Sequence, residues 1–150
     1  MKQSITALIL LLSVALSGCG SSNNPANING TWFATLNGST SEELAFTVGL
    51  TVNADGSLGS SNFTFTVNNT PCTFPTVTES GSVALTVNSN GQVSGKFHYV
   101  LMSTGVEVNT VTLDGTVSGG QITGTWMVTG ASTGCTGNGT FTMIPPTAGG

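Results

Sequence analysis

The chain offers few groups that could do chemistry, and the most suggestive of them are closely spaced. Ser94, Lys96 and His98 stand two residues apart, so on an extended strand they share one face. His98 is the only histidine. A hydroxyl, an amine and an imidazole on one face are the raw material of nucleophilic catalysis. A working triad also needs a carboxylate to orient the base, and none stands on this segment. Val93, Phe97, Tyr99 and Leu101 occupy the alternate positions, so the same spacing describes the solvated face of a half-buried antiparallel strand. The second description is adopted, and no catalytic residue is assigned.

Glu42-Glu43 could begin a pair of carboxylates for glycoside hydrolysis or a Ca²⁺ site. Adjacent residues on a strand point to opposite faces, and no Asp-x-Asp-x-Asp loop exists, so the pair reads as a solvated loop. Asp55-Gly56 and Asp114-Gly115 read as turns. Of the three cysteines, Cys72 and Cys135 have no His or further Cys close by in sequence. Neither a metal nor a cofactor is expected. In an exported chain the two should pair as a disulfide. The closed loop of about sixty residues would stabilise the fold by roughly 4 kcal/mol through loop-closure entropy.

Export is written at the start of the chain. Lys2 precedes an apolar run from Ile5 to Leu16, broken only by Thr6 and Ser13. That run is too short for a bilayer span of roughly 20 residues and has the layout of a signal peptide. It closes on Leu16-Ser17-Gly18-Cys19, which resembles the lipobox of bacterial lipoproteins. The resemblance implies that the Cys19 thiol is acylated, that the chain is cut just before it, and that the new amino terminus sits in a membrane leaflet. It also implies sorting: Gly20, rather than Asp, after the Cys favours the outer membrane where the source has two. Residues 1–18 are then a leader and 19–29 a flexible Ser/Asn/Pro-rich tether.

The remainder is long enough for one domain with one core. After the leader leaves, Lys96 alone faces Glu42, Glu43, Asp55, Glu79, Glu107 and Asp114, a net charge of −5 with no Arg. Nucleic acid needs a cationic footprint, and basic attachment to anionic lipid needs the same. Both are excluded. Thr, Val, Gly, Ser and Asn dominate, which suits strands joined by tight turns.

Period-two alternation of apolar residues divides residues 30–146 into eight strands. The first carries Trp32, Ala34 and Leu36; the second Leu44, Phe46, Val48, Leu50 and Val52; the third Phe63, Phe65 and Val67; the fourth Val83, Leu85 and Val87. After the fifth comes a strand from Val106 to Val117, whose alternation changes phase and predicts a β-bulge near Asn109. Ile122, Gly124, Trp126 and Val128 mark the seventh, and Asn138 to Ile144 the eighth. Asp55-Gly56, Asn90-Gly91 and Gly119-Gly120 are tight hairpin turns. A strand–turn–strand phrase at Val48–Gly56 recurs at Val83–Gly91, too few copies for a solenoid. Residues 147–150 form a tail.

Every connection is hairpin-like, so the expected fold is an all-β, eight-stranded antiparallel up-and-down barrel. The alternative, a β-sandwich, needs longer crossovers. Gly30-Thr31-Trp32 looks like the Gly-x-Trp opening of avidin and lipocalin barrels, a resemblance that covers the first strand and the strand count. It carries no ligand residues, and function does not transfer with it. The inward aromatics either fill a solid core or line an apolar cavity.

Strand counting puts the connections holding Cys72 and Cys135 at one end of the barrel. The longer loops, at 37–43, 69–81 and 130–137, share that end, and the tether leaves from the other. Glu42, Glu43, Glu79 and Glu107 would crown the distal rim as a candidate binding surface. The expected role is a non-catalytic binding module of the cell envelope, for a small apolar ligand or a protein partner. The alternative is a structural or surface-interaction lipoprotein with a filled core.

Overall fold

A computed structural model describes residues 28–39, 41–87, 89 and 93–145. The leader, Cys19, the tether up to Asn27, the Asn90-Gly91 turn and the tail lie outside the described residues. The strands are β1 (Gly30–Asn37), β2 (Glu42–Val52), β3 (Ser57–Asn68), β4 (Val77–Val87), β5 (Val93–Ser103), β6 (Asn109–Ser118), β7 (Gln121–Gly130) and β8 (Thr136–Ile144). They form a closed antiparallel barrel in sequence order, with β8 returning to β1. The sandwich is ruled out by this closure.

Alternation sorts the side chains as the pattern requires. Leu36, Leu44, Leu101, Leu113, Ile122 and Met143 are fully buried together with Phe46, Phe97, Tyr99, Trp126 and Phe141. These bulky groups pack the interior. Trp126 shows how a barrel of this width accepts an indole. On β8, which pairs with its strand, inward positions 137 and 139 are both glycine. A Cβ at Gly139 would come within 2.8 Å of Trp126 Nε1. With both side chains absent, the ring lies over β8 and its Nε1 donates to the Asn37 carbonyl of β1 at 3.1 Å.

Four expectations are corrected. No bulge lies near Asn109: β6 runs in unbroken register against β5 and β7. The change of phase arises because Val106 and Val108 belong to the preceding loop and are exposed. Asp114-Gly115 is no turn but the middle of β6. The fourth strand starts at Val77, so the long loop ends at Thr76 and not at Gly81. Finally, Ile28 and Asn29 belong to the barrel and not to the tether. Ile28 is 3% exposed and its carbonyl accepts the Trp32 indole N–H at 2.8 Å. Asn29 Oδ1 accepts the Val52 amide at 2.7 Å. Ile28 thereby plugs the tight-turn end.

The irregularity sits in β3. Its register against β2 slips between Ala45 and Phe46 and again between Thr47 and Gly49, each time with one extra residue on β3. Asn62 at the second slip has φ 61°, a left-handed conformation that Asn tolerates better than most residues. β3 has already parted from β4 at Gly59, ahead of both bends. Their ladder holds two residue pairs, Ser57 with Ser82 and Leu58 with Gly81, whereas β4 and β5 pair along eleven.

Candidate functional site

Two regions collect the groups that could act. The first is the end of the barrel that carries the loops at residues 38–41, 69–76, 104–108 and 131–135, of which the last three are longer than the 53–56 turn at the opposite end and the first is equal to it. Cys72 and Cys135 are joined there, with Cα atoms 4.8 Å apart, so the pairing expected from strand counting is present.

Hydrogen bonds tie the same loops together. The Asn109 amide nitrogen donates to the Thr73 carbonyl at 2.8 Å and to Ser132 Oγ at 2.9 Å. The Ser132 N–H returns a bond to Asn109 Oδ1 at 3.3 Å, and its hydroxyl donates to Glu107 Oε2 at 2.6 Å. Ser103 Oγ accepts the Asn109 N–H and donates to the Glu107 carbonyl. Asn69 donates through its backbone to the Glu43 carbonyl and through its side chain to that of Glu42. Three loops and the start of β2 thus become one cross-braced cap. Its buried polar side chains, Ser103, Asn109 and Ser132, are all partnered, as burial demands.

Three of the four predicted rim carboxylates reach this end, and the fourth, Glu79, does not belong to the rim. Glu42 and Glu43 open β2 and are half-buried, while Glu107 is exposed on the cap and bonded to Ser132. Glu79 is not in a loop. It stands on β4 opposite Leu101, with the inward parity of Val77, Gly81 and Val83. Loss of solvent pushes its carboxyl above the ordinary value, with the Tyr99 hydroxyl pulling the other way.

Tyr99 is one of the inward aromatics that the alternation assigns to a filled core or a cavity lining, and nothing in the sequence marks a polar cluster around it. Its ring is buried and its hydroxyl sits beside Ser60 of β3 and Glu79 of β4, yet it makes no well-formed hydrogen bond among the described residues. Burial raises its phenol well above the ordinary value, and the Glu79 charge adds to that. Ser60 and Glu79 would be the second pair past Leu58–Gly81 had the β3–β4 ladder continued. The polar cluster therefore lies at the fork where the two strands separate. Above it runs a line of touching rings: Phe46 to Phe63 at 5.1 Å, Phe63 to Phe65 at 4.6 Å and Phe65 to Phe74 at 5.2 Å between centroids. Phe63, Phe65 and Phe74 are only partly buried.

The second region is the outer face of β4, β5 and β6. Cross-strand register sets Ser82, His98 and Asp114 in one row. His98 Nδ1 and Asp114 Oδ1 are 2.7 Å apart. The carboxylate that the fifth strand lacked is supplied by its neighbour, which a reading of one strand at a time could not find. Lys96 and Thr116 flank the row, and a shallow groove of about 480 Å³ runs across it. The histidine and aspartate side chains are 47% and 63% exposed, and no hydrogen bond joins Ser82 to His98 among those described. A nucleophile needs such a bond to its base, and its oxyanion needs donors in a water-excluded site. The arrangement is a solvated, hydrogen-bonded His–Asp contact on a sheet face.

No family model matches the chain, and neither a curated protein nor a solved structure matches it. No group of three or more His, Cys, Asp or Glu residues among those described could hold a metal ion.

Proposed function

We propose that this is a lipid-anchored protein of the bacterial envelope whose β-barrel serves as a non-catalytic binding module, presented away from the membrane by its cap end. The observation that carries the reading is the opposition of the two ends. Ile28, the first described residue, leaves from the tight-turn end. The braced cap lies at the other, with Glu42, Glu43 and Glu107, while Glu79 points into the barrel below it. Loops held rigid on a scaffold are where binding residues concentrate, and the disulfide and the Asn109 network hold these.

The anchor in this reading is an acyl group on Cys19, which follows from the Leu16–Cys19 motif, and the outer membrane is the destination where the source has two. Metabolic labelling with a fatty-acid analogue tests it: label should appear on the parent and vanish from Cys19→Ala, which should accumulate uncut. Label persisting on that variant refutes the anchor. Orientation is tested with a bulky thiol reagent on intact membranes, using single cysteines placed in the 69–76 loop and at the 119–120 turn. The loop should react and the turn should be shielded; the reverse outcome refutes the presentation. Native mass spectrometry of protein extracted from its own cells tests the binding role, which predicts a bound mass.

The packed interior favours one second reading, a structural or surface-interaction lipoprotein of the envelope. A bare mass from the native extract would favour it.

A further inference from the structure

We propose that the open seam between β3 and β4 binds a small amphipathic amine, its ammonium held by Glu79 and the Tyr99 hydroxyl and its apolar body against Phe63, Phe65 and Phe74. The inference rests on the binding-module reading and names the chemistry of its ligand.

Three independent observations converge on the seam. The ladder between β3 and β4 stops after Leu58–Gly81, so the strand edges above that pair are not joined to each other. A buried hydroxyl, that of Tyr99, lies at the fork without a formed hydrogen bond among the described residues. An orphaned buried polar group is uncommon and costly, and a ligand atom beside it would remove the cost. A row of partly exposed aromatic rings leads from the cap down to the fork. Exposed rings that touch one another in a line form an apolar wall, which is the usual lining of a small-molecule site, with a few polar groups at its end.

The polar end sets the sign of the ligand's charge. Glu79 is a carboxylate partly withdrawn from water, and no Lys or His nitrogen among the described residues lies within ion-pair distance of it. Lys96 and His98 both face outward from β5. A carboxylate, a Ser60 hydroxyl and a phenol oxygen can all accept hydrogen bonds, which suits a group with several N–H donors. Phenyl faces add cation–π attraction for the same charge. A carboxylate ligand would meet Glu79 as a like charge.

The full chain is titrated with 2-phenylethylamine, 2-phenylethanol and phenylacetate, and binding is followed by NMR shifts at Ser60, Glu79 and Tyr99. The amine should shift these residues and bind roughly tenfold or more tightly than the alcohol, as expected for a charge-assisted bond; phenylacetate should shift none of them. Glu79→Gln should bring the amine down to the affinity of the alcohol. Tyr99→Phe should weaken amine and alcohol alike. Equal binding of all three probes, no shift with the amine, or an amine affinity unchanged in Glu79→Gln would overturn the proposal. A natural ligand recovered by native mass spectrometry that carries no amine would also overturn it and would leave the binding module standing.

Discussion

Asn109 and Ser132 hold each other by two hydrogen bonds inside the cap, side-chain amide to hydroxyl at 2.9 Å and backbone amide to side-chain carbonyl at 3.3 Å. Asn109 is fully buried and also bonds the Thr73 carbonyl. Asn109→Ala would leave the Ser132 amide and the Thr73 carbonyl without partners and should cost about 2–3 kcal/mol in urea unfolding. Ser132→Ala should cost less, and the double variant less than the sum, because the two side chains share the interaction. Strict additivity would show that the cap does not act as a unit.

Cys72 and Cys135 close a loop spanning 63 positions. Reduction, or Cys72→Ala with Cys135→Ala, should lower stability by about 4 kcal/mol, seen as a lower denaturation midpoint. The reduced barrel should still fold, because its ladders do not depend on the bond. Loss of far-ultraviolet β signal on reduction would contradict this.

Glu79 makes stability depend on pH in an unusual direction for an acid. Its folded pKa lies above the ordinary value because solvent is lost around it. Between the unfolded and folded values the native state binds more protons, so stability falls as pH rises through that interval and stays lower above it. Glu79→Gln should therefore be more stable than the parent at pH 7, and the gain should shrink to nothing below about pH 4. Paired thermal melts across pH 3.5 to 8 check the sign. Asp55 works in the opposite sense: its hydrogen bonds to Ser57 lower its pKa, so its contribution is lost as pH falls.

Ile28 is a core residue attached to the end of a polar segment. A chain beginning at Gly30 loses its side chain, the acceptor for the Trp32 indole and the Asn29 acceptor for Val52. It should be destabilised by about 2–4 kcal/mol, whereas a chain beginning at Asn27 should match the longer one. Equal melting temperatures for the two would show that the plug contributes nothing.

The parts of this fold that repeat with period two were legible in the sequence. Leu44 through Leu50, Phe97 through Leu101 and Ile122 through Val128 announce their faces, and the paired-residue turns fix which strands are neighbours. Counting strands from there was enough to set Cys72 near Cys135. Ladder hydrogen bonding leaves no such mark. Phe63 and Phe65 alternate on one side of the slip at Asn62, and the change of inward parity to Leu58 and Ser60 on the other falls in a run of Ser and Gly, so the irregularity of β3 and its parting from β4 were hidden. Glu79 sits between Thr78 and Ser80, which look like loop, and its inward parity appears only once β4 is known to begin at Val77. The His98–Asp114 pair was hidden for a related reason. Starting the sixth strand at Val106 mis-set the loop before it, and with it the residue that faces His98. Ile28 is one apolar residue amid Asn, Pro and Ala, too little signal to be separated from a tether.

β8 runs back beside β1, with Phe33 opposite Ile144 and Ala34 opposite Met143, so residues 28 and 145 leave the barrel from the same end. Circular permutation becomes geometrically simple. A short linker from residue 145 to residue 28, with the chain reopened in the 38–41 loop, would keep every strand pair while moving the new amino terminus to the cap. Fused behind the same leader and cysteine, such a permutant would hang from its lipid upside down, with the Phe74 mouth of the seam pressed toward the bilayer and the plugged end toward solvent. Natural and permuted chains would then share composition and core and differ in which pole of the barrel a partner can reach.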